Sequence, residues 1–352
     1  MPKACEASWP SSVRLAKGEE QSAEMSALPA ELRQWLATNL LRGCTPQSIE
    51  AGLIAAGIEA EQAAREIQQA THHPYLLAAA GLQNKLARRE SLLKTLDWQL
   101  RRTPAYAPLQ RQPLPPYSQF LQDFYYTNRP GLFSGAVDHW PALQWTPRSL
   151  AEKAGLDTRV QVQWGRESDP DYELRSPSHR QEMDLGALVD LIETAGSSND
   201  FYLTAGNRAL AREGMARLLE DIGSLGDGYL HPERPKQEMH LWLGPSGVRT
   251  PLHHDLTNNL FVQLHGEKRF LMVPALQAPY LCNEVHVFSP VDLSALTSEH
   301  RAQLSVLDVR IEPGDLLFIP AGWWHQVEGL SASISLSFTQ INLPFNGFID
   351  FP

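Results

Sequence analysis

Apolar residues recur at helical spacing through the first quarter of the chain and then change rhythm. In LPAELRQWLATNLLRG (28–43), Leu32, Trp35, Leu36 and Leu40 fall on one face, and Gly43 is a natural stop. TPQSIEAGLIAAG follows, with Thr45 as N-cap and Pro46 at the first helical position, where a missing N–H costs nothing; it ends at Gly57. A third helix, EAEQAAREIQQA, rests on alanine propensity, and a longer fourth is predicted from about Pro74 to Arg102 through Leu82, Leu86, Leu93 and Leu96. Together they predict a helical domain over residues 28–103. Nothing in it is chemically specific, which favours packing or dimerisation over substrate recruitment. Residues 1–27 are polar and aperiodic and read as a disordered tail.

Pro104, Pro108, Pro113, Pro115 and Pro116 then exclude regular helix and central strand, so residues 104–116 read as a stiff linker, with a domain boundary near residue 110. Beyond it the period becomes two. RVQVQW (159–164), DFYLTA (200–205), MHLWLG (239–244), NNLFVQLHG (258–266), KRFLMVP (268–274), residues 305–315, residues 316–328 and SASISLSFTQ (331–340) are rich in β-branched and aromatic residues. Many short strands with Pro-Gly turns predict a mainly β sandwich or jelly roll, with helical patches at 147–155 and 184–195 on its edge.

Composition narrows the class. Hydrophobic residues make up 43% of 352, ordinary for a globular chain, and no run approaches a membrane span. The N-terminus has no short apolar segment after a basic start, so a cytoplasmic protein without membrane attachment is expected. Cys5, Cys44 and Cys282 are far apart and form no CxxC, which argues against disulfides and a zinc-thiolate site. A net charge of −10 disfavours direct nucleic-acid binding. No GxSxG, Walker-type or Rossmann glycine pattern supports a hydrolase, NTPase or dinucleotide reading.

The chemistry concentrates in TPLHHD (250–255). On an extended segment side chains alternate, so His253 and Asp255 share a face while His254 points away. His325, in EPGDLLFIPAGWWHQVE, is the strongest third ligand, because a histidine among large aromatics is costly unless hydrogen-bonded or metal-bound. Two histidines and a carboxylate with other positions open form the facial triad of non-haem Fe(II) oxygenases. Of Trp323 and Trp324, one is expected inside and one outside, as packing. The parity of His240 and His265 is open, and structural roles are favoured for both. His286 lies in YLCNEVHVFSPVDLSAL, the stretch favoured for substrate specificity.

TPLHHD…NNLFVQLHGEKRFLMVP and IEPGDLLFIPAGWWHQVE, with FYYTNRPGLFSGAVDHWPALQW upstream, resemble the JmjC, cupin-like 2-oxoglutarate-dependent oxygenases, especially the small hydroxylases related to the asparaginyl hydroxylase of hypoxia-inducible factor. The resemblance covers roughly residues 115–345, about two-thirds of the chain, and implies a double-stranded β-helix as the catalytic domain over 117–352. It implies that His253, Asp255 and His325 hold Fe(II). Lys268, fifteen positions after His253, would pair with the distal carboxylate of 2-oxoglutarate, with Thr250 and Tyr202 hydrogen-bonding the cosubstrate and Asn259 beside it. A buried ammonium needs an anion, which agrees with that role for Lys268. Ser337 stands where some members carry asparagine.

The implied activity is hydroxylation using O2 and 2-oxoglutarate, with release of succinate and CO2, on a side chain of a protein or peptide; a small metabolite is the alternative substrate. A non-catalytic cupin-like binding module is the rival from another class, and a cupin isomerase with a histidine-rich ligand set a further one. The chain stops at Pro352, short of the C-terminal helices through which some members dimerise, so a homodimer is expected to use the N-terminal helices.

Overall fold

The computed structural model describes residues 28–350 apart from 207, 234–237 and 284. The tail predicted over 1–27 lies outside the described residues. The chain divides into two compact units between Leu92 and Leu93. In the first, α1 (Ala30–Leu41), α2 (Pro46–Ala55) and α3 (Ala60–His72) enclose Leu32, Trp35, Leu36, Ile49, Leu53 and Ile67. The caps of the first two helices are those the sequence predicts, while α3 runs on to His72 and α4 stops at Leu100, short of Arg102. The Ser48 backbone N–H donates to Thr45 Oγ1 at 3.2 Å, and Gly43 takes a φ of 78° after α1. A fourth helix, α4 (Pro74–Leu100), runs across the division.

Within the second unit, the end of α4 is held by a buried polar knot. Asp97 accepts from Gln277 Nε2 and from Arg101 Nε, each at 2.8 Å, and Gln277 Oε1 accepts from the Ser305 backbone N–H at 2.8 Å. Removing the carboxylate strands the Gln277 amide and leaves the Arg101 guanidinium with the Gln303 carbonyl. Asp97→Ala is therefore expected to destabilise the second unit by about 3 kcal/mol, read as a shift in the urea midpoint at constant slope. A shift near zero would mean that water replaces the carboxylate at no cost.

The second unit holds β1 (Arg111–Pro113), α5 (Tyr117–Phe120), β2 (Gly131–Ser134), α6 (Pro147–Ala154), β3 (Arg159–Trp164), α7 (Ser176–His179), β4 (Arg180–Asp184), α8 (Leu185–Ala195) and β5 (Phe201–Tyr202). The barrel strands follow: β6 (His240–Gly244), β7 (Arg249–His254), β8 (Asn259–His265), β9 (Lys268–Val273), then α9 (Ser298–Gln303), β10 (Leu307–Ile311), β11 (Leu316–Ile319), β12 (Trp324–Gly329) and β13 (Ser333–Phe338). Among the described residues they form a six-stranded sheet, β1-β2-β11-β8-β13-β6, a four-stranded sheet, β10-β9-β12-β7, and a three-stranded sheet, β4-β3-β5.

The two larger sheets share an inner core of Leu132, Phe261 and Leu317 from one and Phe270, Met272 and Val309 from the other. This is the predicted jelly roll, a double-stranded β-helix. Alternation decides what else points inside. Along β9, Phe270 and Met272 join the inner core while Leu271 and Val273 pack outside with Trp324, so Lys268 shares the inward parity. Along β13, Ile334, Leu336 and Phe338 pack outward into the core that also holds Leu150 of α6 and Leu188 of α8, leaving Ser333, Ser335 and Ser337 inside. Leu241 and Leu243 of β6 also face that outer core, which sends His240 and Trp242 inward.

Three strands escape the sequence pattern. The proline-rich residues are extended as expected, but Arg111–Pro113 also pairs in parallel with β2, an edge position that tolerates Pro113. Arg111 holds it there with two 2.8 Å bonds to the Asp315 carboxylate. β2 is four residues long, too short to show an alternation, and β4 is mostly exposed and polar, so neither shows a two-residue hydrophobic period. The run 316–328 breaks at Pro320–Gly322 into β11 and β12, which lie in different sheets. No helix among the described residues is long and apolar enough to cross a membrane.

Candidate active site

β7 and β12 run antiparallel with His253 opposite His325, so two inward imidazoles stand side by side, 4.2 Å between ring centroids. Each Nδ1 lies against a carbonyl two residues back: His253 on Pro251 at 2.8 Å, His325 on Trp323 at 3.0 Å. A carbonyl only accepts, so each Nδ1 carries its hydrogen and each Nε2 keeps a lone pair for a metal. Asp255 follows β7 directly. Its oxygens lie 3.9 Å from His253 Nε2 and 4.0 Å from His325 Nε2, and one ligand atom from each of the three residues falls within 4.8 Å of the others.

The protonation states suit a cation. Burial, helped by the potential of His253, pushes the His325 imidazole well below its ordinary pKa, with Asp255 opposing. Burial would raise the Asp255 carboxyl, but His325, His253 and a 3.0 Å bond from Asn259 Nδ2 prevail and hold it below the usual carboxylate range. Neutral imidazoles and an ionised carboxylate are the form that binds metal. The donor set therefore fits Fe(II), and the rings of Phe288 and Phe270, 6.0 Å from His253 and 6.5 Å from His325, keep one side apolar. His254 is on the other face, its ring 4.7 Å from Trp324 and 5.5 Å from Phe348.

A second cluster lies on the inner wall. Lys268 is 1% exposed, and its Nζ donates to the Tyr202 hydroxyl at 2.8 Å. The rings of Phe261, Tyr202 and Trp242 surround that nitrogen at 5.1, 5.4 and 5.8 Å. Burial pushes the ammonium down to about 7, and no carboxylate of the described residues pairs with it. A buried cation without an anion is the observation that fits a carboxylate-bearing cosubstrate. The β8–β9 turn fixes the start of this strand. Gly266 has a φ of 67°, and a Cβ there would meet the Ala332 carbonyl oxygen at 2.0 Å.

Thr250 has the wrong parity on paper, three residues before His253. A bulge corrects it. His325 pairs with His253 but Val327 pairs with Thr250, so Pro251 and Leu252 oppose the single residue Gln326 and Thr250 returns to the inward face. Among the described residues no hydrogen bond joins it to Lys268 or Tyr202. Asn259 is tied to Asp255, while its Oδ1 is buried with no protein partner. Ser337 accepts from Trp242 Nε1 at 2.9 Å, which places it beside the Lys268 cluster rather than among the metal-ligand atoms.

Sequence reasoning misses Trp242 and Arg166. Trp242 is recoverable by parity, since Leu241 and Leu243 pack outward. Arg166 sits in a turn, where period carries no signal. Of the two tryptophans, Trp323 packs inside and Trp324 outside, as expected. His240 is inward, opposite Ser337, and burial lowers its pKa. An open cleft of about 900 Å3 adjoins the site, lined by residues that include Tyr172, Glu173, Arg249, Thr250, Phe288 and Asp292. Phe288 and Asp292 come from the stretch expected to set specificity.

A cupin-like domain matches residues 117–342. The chain is 28% identical to Lysine-specific demethylase JMJ30 of Arabidopsis thaliana over 239 residues, 62% of this chain and 51% of that one. It is 25% identical to Lysine-specific demethylase 8 of Xenopus tropicalis, covering 64% of this chain and 51% of that one. It is also 25% identical to the human Bifunctional peptidase and (3S)-lysyl hydroxylase JMJD7, covering 71% and 91%. The chain thus spans about half the length of the first two of these relatives. With a match over more than half its residues, laid on a jelly roll of the expected topology, the chain belongs to the JmjC, cupin-like domain family.

Proposed function

We propose that this protein is an Fe(II)- and 2-oxoglutarate-dependent oxygenase that hydroxylates an amino-acid side chain of a protein or peptide. The carrying observation is the pairing of a preformed His-Asp-His ligand set with a buried, anion-seeking Lys268 inside the same barrel. When bound, the metal would activate O2 together with 2-oxoglutarate, so that a substrate C–H becomes C–OH and the cosubstrate leaves as succinate and CO2.

The protein's own residues bind, orient and exclude. His253, Asp255 and His325 would hold the metal, with the Pro251 and Trp323 carbonyls and Asn259 fixing the ligands' orientation. Lys268 and Tyr202 would receive the distal carboxylate, Thr250 would join them from the inward face of β7, and Ser337 with Trp242 would form the wall. Phe261, Phe270 and Trp242 keep bulk water from this interior. The cleft is the substrate entrance. Its lining includes Asp171, Glu173 and Asp292 against Arg249, an acidic balance that suits a basic side chain. The lysyl hydroxylase and lysine demethylases among the relatives support that class of substrate.

The test is anaerobic titration of the metal-free protein with Fe(II) and then 2-oxoglutarate. A visible charge-transfer band is expected in the wild type and absent in His253→Ala. No band from a folded wild-type protein would sink the oxygenase reading and leave a cupin-like binding module in its place.

A further inference from the structure

Arg166 is among the most deeply buried charged side chains of the described protein, 1% exposed. Its backbone N–H donates to the Asp200 carbonyl at 3.2 Å, which sets it beside Tyr202 of β5. Nη2 donates to the Arg249 carbonyl at 2.5 Å, immediately before Thr250, and meets the Glu173 carboxylate at 3.4 Å. Nε and Nη1 are buried and reach no protein acceptor. The guanidinium carbon lies 4.3 Å from the ring centroid of Tyr172 and 5.2 Å from that of Tyr202. Tyr172 donates to the same Arg249 carbonyl at 2.8 Å.

A guanidinium keeps its charge, and leaving two of its donor nitrogens unpaired in the interior is costly. Packing alone is a poor reason for it. One cation, Arg166, therefore touches the Tyr202 ring and also the start of β7. Tyr202 accepts from Lys268, so its own O–H hydrogen is left to donate, and a cation against the ring strengthens that donation. Its field acts in the same direction, favouring a more acidic hydroxyl against the upward push of burial.

We propose that Arg166 is a positioning residue for dicarboxylate recognition: it locks Tyr202 and Thr250 in one arrangement and supplies a permanent positive charge behind the Lys268 pocket. The inference rests on the oxygenase reading above and concerns the cosubstrate's distal end alone.

Calorimetry on the full chain with Fe(II), without oxygen, tests it with two keto acids. 2-Oxoglutarate carries the distal carboxylate; 2-oxobutyrate has the same head and lacks it. Arg166→Met is expected to weaken 2-oxoglutarate about tenfold, as a charge behind the pocket is lost and Tyr202 and Thr250 are no longer held, and to change 2-oxobutyrate by less than about twofold. Arg166→Lys, which keeps the charge but loses the planar fork that reaches the Arg249 carbonyl, is expected to fall between wild type and the methionine variant for 2-oxoglutarate. Equal weakening of both acids, no weakening of either, or a lysine variant as poor as the methionine variant would each overturn the proposal.

Should Arg166→Met not fold, Glu173→Gln gives the opposite sign. Losing the counter-charge is expected to tighten 2-oxoglutarate relative to 2-oxobutyrate, and no gain counts against the proposal. A wild-type protein that takes neither acid defeats the oxygenase reading first, before any variant is compared.

Discussion

Replacing His325 by alanine is expected to weaken Fe(II) binding by at least about 100-fold, since even partners outside the ligand set cost 10–100-fold, and to take turnover below detection. His254→Ala should leave Fe(II) affinity within about threefold and instead lower stability by about 3 kcal/mol, the low end of the cost of emptying a packed aromatic site. The strand register separates these outcomes. His325 opposes His253 across the β7–β12 ladder with its Nε2 facing Asp255, whereas His254 opposes Trp324 and lies against that indole and Phe348. Fe(II) affinity under anaerobic conditions and urea unfolding of both variants read the contrast. If His254→Ala lost metal as completely as His325→Ala, the parity assignment of the whole strand would be wrong.

Lys268→Met is expected to act with opposite signs on binding and stability. Loss of the ammonium should weaken 2-oxoglutarate by roughly 100-fold, the upper end for a hydrogen bond to a charged group. The folded-state pKa of Lys268 is lowered from 10.5 to about 7 by burial. Below about pH 7 the pocket already holds a cation, so affinity should be flat. Above it each binding event must take up a proton, and the apparent Kd should rise about tenfold per pH unit.

For stability the sign reverses. Between about 7 and 10.5 the unfolded chain binds the proton and the folded chain does not, so the lysine costs stability at low pH and the cost fades as pH rises through that window. Without cosubstrate, the methionine variant should be the more stable protein near neutral pH and lose this slope. Calorimetric Kd values and thermal midpoints from pH 6 to 9 check both halves. A Kd independent of pH across that range would mean that Lys268 does not meet the carboxylate.

How much of this was legible before folding differs from residue to residue. The four N-terminal helices could be read because caps, alanine and a 3.6-residue period are local. The strands β8, β9 and β13 could be read because each alternates between two apolar surroundings or an apolar and a polar one. That alternation also placed His253 and Asp255 on one side and His254 on the other, and it separated Trp323 from Trp324. The resemblance pointed to Lys268, Tyr202 and Thr250 together, residues that no period within the chain connects.

By itself, then, the sequence determined the helical start, the β-rich remainder, the turn glycines and the shared face of His253 and Asp255, because each depends on a residue and its near neighbours. Only the tertiary structure decided the rest. It pairs His325 with His253 across 72 positions of sequence, returns Thr250 to the inner face through a bulge, turns Arg111–Pro113 into an edge strand, and sets Arg166 against Tyr202. Those outcomes depend on sheet register and on which buried charges must share a low-dielectric space, and both are properties of the packed whole that no local pattern encodes.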